Sequence, residues 1–75
     1  MGSVHSDRYR ELLRRLREAR HEARLTQKDA ASALGKHQSF ISKCESGERR
    51  VDAVELIQLA RIYGKPLSYF LGAGS

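Results

Sequence analysis

Three glycines, at positions 35, 47 and 64, each end a stretch of helical apolar spacing, and the stretches between them are short. Helices of two or three turns are unstable alone, so these segments must pack on one another around a shared core. No window alternates apolar and polar residues, and no sheet is expected. The 75 residues leave room for one domain. We therefore predict an all-α fold, a compact bundle of five helices.

Apolar spacing and capping residues predict where these helices lie. The first is predicted over residues 7–24, with Ser6 or Asp7 as its N-cap. In the fourth, the polar interior residues lie on a single stripe, so we expect its other faces to be buried at the centre of the bundle. The other bounds follow from capping boxes, glycines and a proline. The second helix is predicted from the capping box at residues 26–29 to Gly35, and the third over residues 38–46. The fourth is predicted from the capping box at residues 52–55 to Gly64, and the fifth has Pro66 in its first turn.

A single domain is predicted over residues 7–71. Residues 1–6 are expected to be a disordered N-terminus or a remnant of cloning, and residues 72–75 a flexible C-terminal tail. No apolar run reaches the roughly 18 residues of a membrane span, so no membrane partner is expected. A free thiol at Cys44 and the absence of a signal peptide are typical of a protein of the reducing cytoplasm.

Metal and enzyme sites are not predicted. His5, His21, His37 and Cys44 are scattered along the chain without the spacing of zinc ligands. The chain presents no nucleophile with a base and no phosphate-binding loop, so we expect no enzyme, no cofactor and no small-molecule ligand. Cys44 lies on the apolar face of a helix and is predicted to be a core residue.

Basic residues outnumber acidic ones by 14 to 9, which gives a formal net charge of +5. Such a balance is typical of proteins that bind nucleic acid or anionic lipid. Seven of the basic residues lie in the first predicted helix, interleaved with four acids, and this pattern favours a solvated, ion-paired face. That helix also has no Trp or Phe to anchor it in a membrane, which favours nucleic acid.

The second and third predicted helices meet at a tight turn that contains Gly35. Ala30 and Ala31 are small enough to let the two helices cross closely, and Ile41 and Cys44 fill the space on the third helix. Its outer face then carries four polar residues: Gln38, Ser39, Ser42 and Lys43. An exposed helix of this size fits the major groove of DNA.

This pattern resembles the helix-turn-helix domain of phage repressor and Cro proteins, in the large xenobiotic-response-element-like family of bacterial regulators. The resemblance covers residues 9–71 and depends most on residues 25–27, 31, 35, 38–43 and 45–50. It implies a sequence-specific transcriptional regulator, a repressor or controller from a bacterium or phage. The implied partners are double-stranded DNA, read at a palindromic operator, and a second copy of the chain in a two-fold dimer. A protein-interaction module, such as an antitoxin or adaptor, is the alternative.

The resemblance also implies a role for individual residues. The residues expected to read base edges are Gln38, Ser39, Ser42 and Lys43. The residues expected to contact phosphate are Gln27, Lys36, His37, Ser46, Arg49 and Arg50. In addition, Gln27 is expected to brace Gln38.

Two residues depart from the family pattern. Lys36 lies at a turn position that is usually apolar, so its side chain is expected to point outward. His37 stands where Ser, Thr or Pro is usual, and it is expected to weaken the N-cap of the third helix.

Arg20 lies on the apolar stripe of the first predicted helix, four residues after Leu16, and an arginine there needs a partner. Glu45 is the natural candidate, and the resemblance implies the same buried structural pair. Phe40 is expected to be at least partly buried, with contact to a thymine methyl group as the alternative. Near the C-terminus, three apolar residues either complete the core or form a self-complementary dimer surface: Tyr69, Phe70 and Leu71.

Overall fold

The structure, a computed structural model, describes residues 6–72, and these contain helices and no strand. In chain order the helices are α1 (Asp7–Glu22), α2 (Gln27–Leu34), α3 (Gln38–Ser46), α4 (Ala53–Tyr63) and α5 (Leu67–Leu71). The predicted all-α fold with five helices is therefore confirmed. Of the predicted terminal segments, residues 1–5 and 73–75 lie outside the described residues, whereas Ser6 and Gly72 cap α1 and α5.

Local hydrogen bonds explain where the helices begin. At α2, the hydroxyl of Thr26 accepts from the N–H of Asp29, and the Asp29 carboxylate accepts from the N–H of Thr26, both at 3.0 Å. These bonds satisfy two backbone donors at once, and they lower the pKa of Asp29. Residues 52–55 form the same box at α4, so both predicted capping boxes are present.

The core is shared by all five helices, and α1 and α4 each pack against three others. α1 packs against α3, α4 and α5, and α4 packs against α1, α2 and α5. All five helices contribute buried residues: Leu13, Leu16, Ala19, Ala30, Ala31, Ile41, Cys44, Leu59, Ala60, Tyr63 and Phe70. Cys44 is thus a core residue, as predicted, and its burial raises the pKa of the thiol.

α1 ends two residues earlier than predicted. Its last residue is Glu22, Ala23 is its C-cap, and Arg24 has a φ of +60°, in the left-handed region that side chains rarely adopt. The turn brings the N–H of Leu25 to the carbonyl oxygen of Arg20 at 3.1 Å. Ala23 packs against the core although it follows the helix, so the apolar spacing extends beyond the end of α1 and predicted a longer helix.

α4 is less buried than predicted, and the expectation that its apolar faces are all buried at the centre of the bundle is wrong. Val54 is 64% exposed and Ile57 is 42% exposed. The helix packs on its neighbours along one side only, and single apolar residues are tolerated on a protein surface. At α5, Pro66 is the N-cap rather than a residue of the first turn, since the helix begins at Leu67.

Candidate nucleic-acid interface

α2 and α3 form a tight helical pair. α2 ends at Gly35, whose φ of +76° is the left-handed conformation that glycine adopts without strain. The N–H of Lys36 then donates to the carbonyl oxygen of Ala31 at 2.8 Å, which turns the chain sharply into α3. Ala30 and Ala31 are fully buried at the crossing, so the small side chains perform the packing role that their sequence predicts.

One face of α3 is exposed along its whole length. The residues on it are Gln38, Ser39, Ser42, Lys43 and Ser46. The opposite face is buried through Ile41, Cys44 and Glu45. A helix with its side chains is about 10–12 Å across and the major groove is about 12 Å wide, so this face can enter the groove.

His37 caps α3, contrary to the expectation that it would weaken the cap. Its Nδ1 accepts a hydrogen bond from the N–H of Ser39 at 3.2 Å and lies 3.1 Å from the Ser39 hydroxyl oxygen. An imidazole nitrogen can therefore replace the usual hydroxyl or carboxylate oxygen. Because Nδ1 accepts, the ring proton resides on Nε2, where it can donate to a phosphate oxygen.

We expect His37→Ala to reduce the free energy of unfolding by about 1 kcal/mol, because the N–H of Ser39 loses its acceptor. His37→Asn retains a capping acceptor and should stay within a few tenths of a kcal/mol of the unmodified chain. Urea denaturation of both variants measures the difference. Equal stability of the two variants would show that the cap does not contribute.

A buried ion pair joins α1 to α3. The Nε of Arg20 donates to Oε2 of Glu45 at 2.7 Å and its Nη2 donates to Oε1 at 3.1 Å. The two residues are only 7% and 8% exposed, and the pairing with Glu45 raises the pKa of Arg20. The remaining amino group, Nη1, donates to the carbonyl oxygen of Leu25 at 3.0 Å, so the guanidinium is well satisfied.

Gln27 joins the same network. Its amide nitrogen donates to Oε1 of Glu45 at 3.1 Å, so within the described residues it braces Glu45 rather than Gln38, which corrects the expectation. The network connects the last turn of α1, the first turn of α2 and the end of α3. It therefore fixes the orientation of the exposed face of α3 relative to the rest of the domain.

Arg49 and Phe40 pack beside α3. The guanidinium of Arg49 forms two hydrogen bonds to the carboxylate of Glu55, at 2.8 and 3.0 Å, and its Cζ lies 4.4 Å from the centre of the Phe40 ring. The pairing lowers the pKa of Glu55. Phe40 is partly buried, as expected, and Lys36 Nζ lies 5.5 Å from the same ring. Lys36 is exposed, so it points outward as predicted.

The last residue of α3 and the segment after it carry the other residues expected to contact phosphate. The hydroxyl of Ser46 donates to the carbonyl oxygen of Lys43 at 3.1 Å. The guanidinium carbon of Arg50 lies 4.5 Å from the ring centre of Tyr9, whose hydroxyl accepts from the N–H of Val51 at 3.0 Å. Tyr9 thus positions this segment, a role that sequence reasoning missed, although a tyrosine on an apolar stripe signals a buried ring with a polar tip.

The suggested dimer surface near the C-terminus is largely used within the chain. Phe70 is buried, and Tyr69 is partly buried between Arg15 and Lys65, which approach its ring to 5.6 and 4.7 Å. Only Leu71, at 56% exposed, remains available from this group. The first of the two alternatives, completion of the core, therefore describes Tyr69 and Phe70.

Comparison with known proteins agrees with this geometry. The model of a family described as a helix-turn-helix domain matches residues 11–67, which include all of α2, α3 and α4. No curated protein matches the chain. In the part of the chain that the structure describes, no helix is long and apolar enough to cross a membrane. The same residues contain no group of His, Cys, Asp and Glu that could hold a metal ion.

Proposed function

Because the chain belongs to the helix-turn-helix domain family, of the phage repressor and Cro type, we propose that it regulates transcription by binding double-stranded DNA. The family is typically not enzymatic. The observation that carries the proposal is the exposed polar face of α3, whose orientation the buried network of Arg20, Glu45 and Gln27 fixes. In finer terms, we propose a repressor or controller that acts in the cytoplasm of a bacterium or a phage-infected cell.

Sequence reading is assigned to the outer face of α3. Gln38 lies in the first turn, and an exposed glutamine there can pair with N6 and N7 of adenine through two hydrogen bonds. Lys43, farther along the same face, suits the acceptor atoms of guanine. Ser39 and Ser42 fill the space between them with short side chains that can donate or accept.

Positioning on the DNA is assigned to residues on either side of that face. Lys36 and His37 precede α3, and Ser46 and Arg50 lie at or after its end. Contacts from such residues to phosphate fix the position of the domain without specifying sequence. Arg49 is proposed to contact phosphate only with the part of its guanidinium that Glu55 leaves accessible.

A two-fold dimer completes the proposal, because one helix of nine residues offers few base contacts. Two copies bound about 34 Å apart would place an α3 helix in successive major grooves of a palindromic site. The second copy multiplies both affinity and specificity. A dimer that neutralises about six phosphates should show a slope of log K against log salt of about −5.

Selection from random duplex DNA, repeated at two salt concentrations, tests the proposal. We expect a palindrome with half-sites one helical turn apart, bound more weakly at the higher salt concentration. Salt-sensitive binding without sequence preference would contradict a sequence-specific regulator. No binding to any duplex would instead favour the antitoxin or adaptor alternative.

A further inference from the structure

α1 carries a stripe of basic residues beside a stripe of acidic residues, although the sequence interleaves them. Basic residues at positions 10, 14, 17 and 21 are spaced by four, three and four, which places them in one stripe along the helix. We call this set (Arg10, Arg14, Arg17 and His21) the basic stripe. Acidic residues at positions 11, 18 and 22 form a second stripe directly beside it.

The three acidic residues of this neighbouring stripe already have partners within the chain. Glu11 pairs with Arg14 and Arg15, Glu18 pairs with Arg14, and Glu22 pairs with Lys65 at 2.6 Å. In contrast, Arg10 and Arg17 are exposed, and no described residue forms a hydrogen bond or ion pair with either guanidinium. These two positive charges therefore remain available to a ligand outside the chain.

The basic stripe lies beside the end of α3. Arg10, Arg14 and Arg17 line a groove of about 470 Å³ that Glu45 and Ser46, the last two residues of α3, also line. Three acids border this groove, and two of them are neutralised, Glu45 by Arg20 and Glu11 by its arginines. The third, Asp7, lies in the first turn of α1, where the helix dipole favours a negative charge.

We propose, resting on the function given above, that Arg10 and Arg17 bind the phosphate backbone of DNA beside the bases that α3 reads. When a helix occupies the major groove, phosphates rise on both sides of it, and the surface next to that helix faces them. A guanidinium matches phosphate with two parallel hydrogen bonds. The contact surface for DNA would thus extend beyond the helix-turn-helix onto α1.

The test compares two double variants that remove the same charge. Arg10→Gln with Arg17→Gln removes the available charges of the basic stripe. Arg8→Gln with Arg61→Gln removes two exposed arginines that do not line the groove. Glutamine is a good helix former, so both proteins should fold, which circular dichroism checks. Binding of the selected duplex is then measured by fluorescence anisotropy from 50 to 200 mM salt.

We expect the Arg10 and Arg17 variant to flatten the salt slope by about one per arginine, or about two for each bound protomer. The ratio of the DNA affinity of the unmodified chain to that of the variant should fall about threefold per arginine across this salt range. The control variant should keep the slope of the unmodified chain.

Three results would overturn the inference while leaving the proposed function intact. One is an unchanged slope in the Arg10 and Arg17 variant, and another is equal flattening in both variants, which would indicate long-range charge. The third is loss of binding to phosphatidylserine vesicles with DNA binding unaffected, which would assign the basic stripe to lipid. Failure of the unmodified chain to bind any duplex would overturn the proposed function as well.

Discussion

Arg20→Met should reduce the free energy of unfolding by about 3–5 kcal/mol, a large part of what a small domain has. The substitution leaves the Glu45 carboxylate buried, with the amide of Gln27 as its remaining hydrogen-bond donor from the network. An uncompensated buried charge costs far more than the pair itself contributes. The thermal midpoint should therefore fall by at least about 12 °C in a domain of this size.

Two further variants separate this explanation from a general effect of losing an arginine. Arg14→Met removes an arginine of the same helix that forms exposed ion pairs with Glu11 and Glu18, and it should shift the unfolding midpoint far less, because water screens exposed pairs. Arg20→Met combined with Glu45→Leu removes both buried charges and should recover much of the lost stability. If Arg20→Met and Arg14→Met shift the unfolding midpoint equally, the buried pair does not stabilise the fold.

Gln38→Ala should reduce discrimination at one base pair of each half-site by about 1–3 kcal/mol, or about five- to 150-fold. The side chain is exposed at the first position of α3, so its removal should leave the fold unchanged. Affinity for the selected duplex should fall toward that for a duplex altered at this base pair. Competition binding with a set of single-base variants measures the change.

Lys36→Gln is the matched control, because it alters an exposed side chain next to α3 that is assigned to phosphate. It should weaken binding to all sequences about equally and flatten the salt slope by about one for each bound protomer. If Gln38→Ala and Lys36→Gln reduce discrimination to the same extent, the division between base-reading and phosphate-binding residues is wrong.

Features that depend on neighbours in the chain could be predicted from the sequence. The capping boxes at residues 26–29 and 52–55 involve residues three apart, and the glycine that ends α2 acts through its own conformation. Arg20 was also informative, because a charged residue on an apolar stripe requires a partner inside the fold. Glu45, which lies 25 residues away, was the natural candidate, and the family resemblance implied the same pair.

Features that depend on distant contacts could not be predicted. The contact of Tyr9 with Val51 spans 42 residues, and nothing local indicates it. Glu55 was identified only as a capping residue, yet its carboxylate also holds Arg49. The exposure of Val54 and Ile57 depends on which side of α4 the neighbouring helices cover. The solvent-exposed face of α4 is therefore wider than the stripe of polar residues from which it was predicted.

The division of α3 into an inner and an outer face bears on how such a protein could change its target. The inner side holds the fold through Ile41, Cys44 and Glu45. The side chains of Gln38, Ser42 and Lys43 form no hydrogen bond or ion pair with any other described residue. Mutation can therefore alter these outer positions at little cost to stability. With base reading by α3 as proposed, the preferred DNA sequence can change during evolution while the interior stays constant, and grafting outer residues from one domain onto another would retarget the protein.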